Sequence, residues 1–363
     1  MRKEEMTVKE RLLNAIKGKE TDRVAWSPFL AYYFEHLPSE VQARGQFAYL
    51  KEMGADPLLR GFMTLYQIEY GGCEVSAKVC GNKRVVTYET PVGALKEGYT
   101  FSENANSWFL TEHPVKTEED FRVLQYLYEH IKLKEDFKAY QALAKEVGED
   151  GLIVPLMGAM DKTPFQTLVE RWCGTVDLTY ALYDFPEIVE ECLFSMNRVA
   201  DRAAEISVNS EAEAFLFWED SSTTNISPEF FKKYTAPTIQ QWGDQLHAHD
   251  KLLIHHACGH IKDLLPLMNQ TPIDIVESIS PPPTGNIDMA EAFALLDQDK
   301  GLIGGIEPTF FVNCSMKELE ERVDYLCQIS KGRRFILANS DSCPPGVAYE
   351  KFLAVSRMVR EGL

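Results

Sequence analysis

Cysteine is scarce in this chain, with eight among 363 residues, too few for the disulfide framework of a small secreted domain. Long apolar runs are missing too, and none approaches the roughly 20 residues that cross a bilayer as a helix. No N-terminal stretch pairs basic residues with an apolar segment in the manner of a secretory signal. A cytoplasmic location is therefore expected, in which reduced thiols serve as metal ligands. Positive charge is the other shortage: 37 Lys and Arg stand against 55 Asp and Glu, a formal net charge of -18. Such a surface repels nucleic-acid phosphates and anionic membranes, so neither is expected as a partner. Low-complexity segments and short repeats are absent as well. What remains is 45% hydrophobic and 25% charged, an ordinary globular balance that can bury a large core.

That core reads as alternating strands and helices. Thr7-Val8-Lys9-Glu10 is a capping box and Gly18 a stop for the first helix. Near-continuous apolar runs follow at 23–30, 55–61, 151–158, 212–220, 251–258, 273–279, 301–306 and 334–339. Helical patterns fall between them, at 42–53, at 134–147 and after the N-caps Thr117, Thr163 and Ser315. Eight apolar strands each followed by a helix predict a parallel sheet covered on its outside, closing as a (β/α)8 TIM barrel in one domain spanning 1–363. Between 66 and 114 the pattern turns to short alternating segments with Gly, Asn and Pro, which predicts a β-hairpin insertion after the second strand.

The fifth strand ends unusually, in Leu253-Ile254-His255-His256-Ala257-Cys258-Gly259-His260. Side chains alternate along a strand, so His256 and Cys258 share one face and His255 takes the other. Imidazole and thiolate both suit zinc, and a third protein ligand with an open fourth position would make a catalytic site. Cys343, in the stretch after the eighth strand, is the best distant third ligand. The plainer alternative is that Cys258 is a small core residue and His256 a satisfied core imidazole. In such barrels the site lies at the C-terminal ends of the strands, where Glu219, Asp220, Glu277 and Glu307 also fall. Glu219 and Glu277 are the candidate catalytic carboxylates, as a base or a further ligand. Asp220, pointing opposite to Glu219, is its rival, and Asp341 and His255 read as supporting residues. An aromatic cluster, Tyr32, Tyr33 and Phe34, either walls a pocket or packs under a loop.

At these residues the chain resembles the uroporphyrinogen decarboxylase superfamily, and within it the zinc-dependent methyltransferases that work with methylated corrinoid proteins, such as methylcobamide:coenzyme M methyltransferases. The resemblance runs through 10–18 with Asp22-Arg23-Val24, Tyr88-Glu89-Thr90-Pro91-Val92-Gly93, Ser227-Pro228-Glu229-Phe230-Phe231, His256-Ala257-Cys258-Gly259 and the late Cys343. It implies zinc held by His256, Cys258 and Cys343. It also implies methyl transfer between the cobalt of a separate corrinoid protein and a small organic substrate, either a methoxylated or N-methylated donor or a thiol or folate acceptor. The alternative is a decarboxylase-like enzyme or a non-catalytic tetrapyrrole-binding barrel. Against it, the decarboxylase's arginine-bearing stretch after the first strand is replaced by Trp26-Ser27-Pro28-Phe29-Leu30-Ala31-Tyr32-Tyr33-Phe34, with no cation for an acidic tetrapyrrole. The Asp-x-His-x-x-Gly loop of proteins that hold cobalt through histidine is also missing, so any corrinoid is expected from a partner.

Overall fold

The structure, a computed structural model, describes residues 5–103, 105–158 and 160–361. Its strands are β1 (Ala25–Trp26), β2 (Leu58–Arg60), β3 (Tyr66–Tyr70), β4 (Glu74–Cys80), β5 (Lys83–Thr90), β6 (Gly93–Ser102), β7 (Ser107–Glu112), β8 (Ile131–Glu135), β9 (Leu152–Val154), β10 (Ala214–Glu219), β11 (Leu252–Ala257), β12 (Ile275–Ile279), β13 (Gly301–Ile306) and β14 (Phe335–Asn339). Six of them form a parallel sheet in the order β1-β14-β13-β12-β11-β10, and β2 pairs in parallel with β9. Individual hydrogen bonds span the two seams between these sheets. Asp56 N donates to Trp26 O at 2.7 Å, Leu216 N to Pro155 O at 3.0 Å and Met157 N to Leu216 O at 2.7 Å.

Alternation along the parallel strands sorts the apolar residues into two cores. One set, including Leu58, Val154, Leu216, Ile254, Ile275, Ile303 and Ile336, packs together with Leu12, Ala15 and Ile16 of the helix Val8–Lys17. The neighbours on the same strands, Phe217, Leu253, Val276, Leu302 and Leu337, join the larger core shared with the covering helices. The capping boxes at Thr7, Thr117 and Ser315 all form, each with the side chain of the third helical residue returning to the cap amide. No helix among the described residues is long and apolar enough to cross a membrane.

Several local expectations need correction. The segment 74–112 is a four-stranded antiparallel sheet in the order β4-β5-β6-β7, larger than a hairpin. The helix expected at 134–147 begins later, at Lys138–Val147, because Ile131-Lys132-Leu133-Lys134-Glu135 alternates with period two and forms β8, paired antiparallel with β3. The helix expected at 42–53 is split into Ser39–Gln42 and Gly45–Glu52, the second beginning at Gly45 with φ +81°. The first strand shrinks to two residues, since Pro28 has no N–H to extend a ladder.

A buried ionic network secures the base of β1 and β2. Asp56 accepts from Trp26 N (2.9 Å), Arg11 Nη1 (2.8 Å) and Arg23 Nη1 (2.7 Å), while Arg11 Nε also reaches Asp22 at 2.7 Å. Burial opposes ionisation of Asp22, but the Arg11 guanidinium and the amides of Glu5 and Met6 outweigh it and hold the carboxyl at about 2. A carboxyl depressed in the folded state stabilises above its unfolded pKa and loses that stabilisation as pH falls towards the folded value. Asp22→Asn should therefore flatten the decline in urea midpoint between about pH 4 and about pH 2. Acid limbs of identical slope in variant and parent would contradict this account.

Candidate metal centre and its surroundings

The C-terminal ends of the parallel strands bring His256 and Cys258 into one mouth with Glu277 and Asp341. On β11, His256 pairs across to Glu277 of β12 and to Trp218 of β10. Its ring lies between Phe29 (centroids 5.9 Å apart) and Trp218 (5.4 Å), both edge-on. Nδ1 is 3.2 Å from Glu277 Oε2, and Glu277 Oε1 is 2.5 Å from Arg60 Nε. The Arg60 guanidinium in turn lies 5.0 Å from the Phe29 ring centroid. Arg60, His256 and Glu277 are all buried.

The charges fix the imidazole tautomer. Burial disfavours the Glu277 carboxylate, but the Arg60 charge and the His256 hydrogen bond hold its pKa below the ordinary value. An ionised carboxylate only accepts, so Nδ1 must carry the proton and donate. That leaves Nε2 directed at Asp341, whose Oδ1 is 3.8 Å away. One donor atom from each of His256, Cys258 and Asp341 lies within 4.8 Å of the other two. Burial, together with the carboxylates of Asp341, Asp220 and Glu170, pushes the Cys258 thiol well above its usual range. A divalent cation would reverse that balance, since coordination deprotonates a thiol. Nitrogen, sulfur and carboxylate oxygen are all zinc donors, so the residues fit the metal.

Cys343 lies outside this trio. Its side chain is fully buried, with Sγ 3.8 Å from Pro344 O, and burial raises its thiol pKa. Its backbone ties two loops: Cys343 N donates to Phe29 O (2.9 Å) and Cys343 O accepts from Tyr33 N (2.8 Å). Asp341, read from the sequence as a supporting residue, lies beside His256. The sequence signal for it was only its position two residues before Cys343, at the same strand end.

Glu219 and Glu277 occupy different surroundings. The Glu219 carboxylate is sealed from solvent, accepting from Thr163 N (2.9 Å) and Thr163 Oγ1 (2.6 Å) and lying 3.3 Å from both His255 Nε2 and Ser221 Oγ. Burial opposes its charge, and the hydrogen bonds from His255 and Thr163 keep its pKa low. Thr163, expected to cap its helix by its side chain, spends its hydroxyl on Glu219 instead. Through its backbone, Glu219 O receives Cys258 N at 3.2 Å, so this buried cluster sets the height of the thiol.

Asp220, the neighbouring acid, is half-buried. Its amide donates to Glu170 Oε1 (2.9 Å), its carbonyl accepts from Gln166 Nε2 (2.7 Å), and Oδ2 accepts from Asn225 Nδ2 (2.6 Å). Lys162 closes the group, with Nζ 2.8 Å from Glu170 Oε2 and 3.1 Å from Trp218 O. Nothing in the sequence pattern had singled out Lys162 or Glu170. Of the aromatic cluster, Tyr33 packs on Phe352 and Phe34 on Tyr49 within the core. Tyr32 stays exposed, where burial and then the nearby Asp341 charge raise its phenol pKa. Glu307 caps the helix Pro308–Asn313, accepting from Phe310 N at 2.6 Å, and takes no part in the trio.

Comparison with known proteins now bears on this mouth. A family model described as uroporphyrinogen decarboxylase (URO-D) matches residues 90–362, three quarters of the chain. The chain belongs to the uroporphyrinogen decarboxylase family. Its match takes in His256, Cys258, Glu277, Asp341 and Cys343, whereas Phe29 and Arg60 come from the segment before it. Among solved structures, a methyltransferase from Methanosarcina mazei aligns over 98% of this chain and 99% of its own at 15% identity, with a TM-score of 0.65. At that identity the likeness is one of fold. A B12-independent methionine synthase from Shewanella sp. W3-18-1, in complex with selenomethionine, aligns over 93% and 97% at 10% identity with a TM-score of 0.47. No curated protein sequence matches the chain.

Within this family member the position of Trp218 depends on Gly61. A Cβ built on Gly61 would sit 1.9 Å from Trp218 Cη2, and its φ is +81°. Gly61→Ala should cost about 1–2 kcal/mol from the left-handed backbone alone and displace the indole from the His256 ring. Urea unfolding and tryptophan emission measure both effects; an unchanged midpoint would show that the close approach is not real.

Proposed function

We propose that this member of the family is a zinc-dependent methyltransferase that moves a methyl group between a small organic substrate and the cobalt of a separate corrinoid protein. The observation that carries the reading is the His256–Cys258–Asp341 donor set with Glu277 holding the imidazole proton on Nδ1. We take the eight parallel strands and their covering helices as one (β/α)8 barrel and one domain, with residues 66–114 inserted in it. The hydrogen bonds across both seams support this. His256 and Cys258 would hold the metal, with a third donor from the loop after β14. Asp341 lies within reach there, and Cys343 is the thiol favoured by the sequence pattern.

Zinc in such a site supplies a soft Lewis acid, which activates a thiol as acceptor or improves an alkoxide as leaving group. The chain's own residues do the rest. Glu277 fixes the His256 tautomer and Arg60 keeps Glu277 ionised. Glu219 acts by position, through its carbonyl on Cys258. Phe29 and Trp218 exclude water from the imidazole, and their rings with Tyr32 offer flat apolar contact to a small aromatic donor. The corrinoid comes from a partner, consistent with a sequence that has no cobalt-binding histidine loop. All eight cysteines are free thiols, which suits a reducing cytoplasm. Decarboxylation of an acidic tetrapyrrole is disfavoured, because the loop after β1 carries aromatics and the mouth's Arg60 is committed to Glu277.

Three measurements test the reading. The purified protein should bind one zinc per chain and Cys258→Ala should bind none; comparing Asp341→Ala with Cys343→Ala identifies the third donor. Glu277→Gln should weaken the metal about 10–100-fold, the usual cost of losing the partner that orients a ligating histidine, as read by competition with a chromophoric chelator. Full zinc content in Cys258→Ala would end the metal assignment. Methyl exchange between methylcobalamin and a panel of thiols and methoxylated or N-methylated compounds tests the reaction, and exchange with none of them would remove it.

A further inference from the structure

The antiparallel sheet formed by β4 to β7 is the largest feature that the proposed reaction does not use. Its outer strand β4 is exposed along its whole length, yet one charged residue of the sheet is buried. Glu97, on β6, is 1% exposed. Its carboxylate accepts from Tyr99 Oη (3.0 Å) and Tyr88 Oη (3.2 Å) and pairs with Arg171 Nε at 2.7 Å. Arg171 also donates to Tyr88 Oη at 2.9 Å and brings Nη1 to 3.1 Å from Met160 Sδ. A buried carboxylate with three such partners is costly to assemble and rigid once made.

Arg171 does not belong to the sheet. It sits in the wide turn Leu168–Trp172, where the helix relaxes to π geometry, a distortion common at functional sites. The residue before it, Glu170, serves the opposite side. Its Oε2 takes Lys162 at 2.8 Å, and its Oε1 accepts both Asp220 N (2.9 Å) and Gln166 Nε2 (2.8 Å). Lys162 and Asp220 then bracket the end of β10, with Lys162 on Trp218 O and Asp220 one residue beyond the carbonyl that receives Cys258 N. Asp220 also crowds the next loop: its Oδ1 lies 3.2 Å from where a Cβ on Gly259 would stand. A continuous set of contacts therefore runs from a buried acid of the sheet, through two consecutive residues of one turn, to the peptide beside Cys258.

We propose that Glu97 and Arg171 are positioning residues for the mouth, and that the antiparallel sheet serves to hold the Lys162–Glu170–Asp220 group in register with the end of β11. The proposal rests on the mouth being the working site and on nothing about the metal or the methyl donor. Cutting the set at Glu97 frees the turn while the sheet keeps its backbone ladder, because the β5–β6 pairing runs unbroken from Lys83 to Thr90.

Hydrogen exchange on the full-length protein tests this directly. Glu97→Gln should speed exchange at least about tenfold, one factor of ten in the opening equilibrium, at the Asp220 amide and across 160–172 and 220–226, with the amides of 83–90 unchanged. Glu170→Gln should release the Asp220 amide and leave the sheet untouched, which keeps the test sound should the first variant fold poorly. Changes confined to 74–112 in Glu97→Gln, or a protected Asp220 amide in both variants, would overturn the proposal. In a methyl-exchange assay Glu97→Gln should raise KM about tenfold and leave kcat within about twofold, the pattern of lost ground-state positioning. A parent enzyme inactive in that assay would count against the proposed reaction only, since the exchange result stands by itself.

Discussion

Arg60, Glu277 and His256 form a row of buried charge and hydrogen bonding, and the rest of the mouth is arranged to tolerate it. Burying a carboxylate and a guanidinium costs several kcal/mol per ion, so the row needs compensation from close geometry. Arg60 has it in Glu277 at 2.5 Å and in the Phe29 face; Glu277 has it in Arg60 and His256. A purely structural protein would gain as much from three apolar side chains of similar volume. What the row provides that apolar residues could not is an imidazole with a fixed proton and a fixed direction, its second nitrogen presented beside a thiol and a carboxylate. That is the arrangement in which an outer carboxylate tunes a ligating histidine.

Parity along the strands was the most legible part of the site. Two-residue periodicity alone separates His256 and Cys258 from His255, and the structure keeps that separation, with His255 stacked on Phe217 in the outer core and His256 against Trp218 in the mouth. The same parity decides between the two acids at the end of β10. Leu216 belongs to the inner core and Phe217 to the outer one, so Trp218 turns inward and Glu219 outward, into the shell of Thr163, Ser221 and His255. Reading that from the sequence required knowing which parity faced inward, and an apolar strand buried on both sides does not say.

Register between strands was not legible at all. Glu277 meets His256 because β11 and β12 align those two residues, an offset that depends on strand stagger and on loops of unequal length. Asp341 and Cys343 illustrate the same limit on a smaller scale. Both follow β14 closely; Asp341 Oδ1 stands 3.8 Å from His256 Nε2 while Cys343 Sγ stands 3.8 Å from Pro344 O, a difference that their spacing in the sequence does not state. The antiparallel sheet was visible as alternation yet undersized, and β8 was hidden because Ile131-Lys132-Leu133-Lys134-Glu135 follows a helix directly and carries too few apolar residues to announce a strand.

The loops after the first and last parallel strands are tied together by hydrogen bonds, and this constrains which side chain can stand beside His256. Asn339 accepts from Phe29 N at 2.9 Å and donates to Phe29 O at 2.9 Å and to Asp341 O. Cys343 N also donates to Phe29 O, and Tyr33 N to Cys343 O. A turn that exchanged Asp341 for Cys343 beside His256 would have to break the Cys343 bonds, and through the shared carbonyl it would shift Phe29, which covers both Arg60 and the imidazole. The side chain beside His256, the aromatic wall and the Arg60–Glu277 pair are therefore coupled mechanically. Phe29 and Arg60 come from the segment before the family-matched residues 90–362, so the surroundings of His256 and Glu277 are built in part from outside that match.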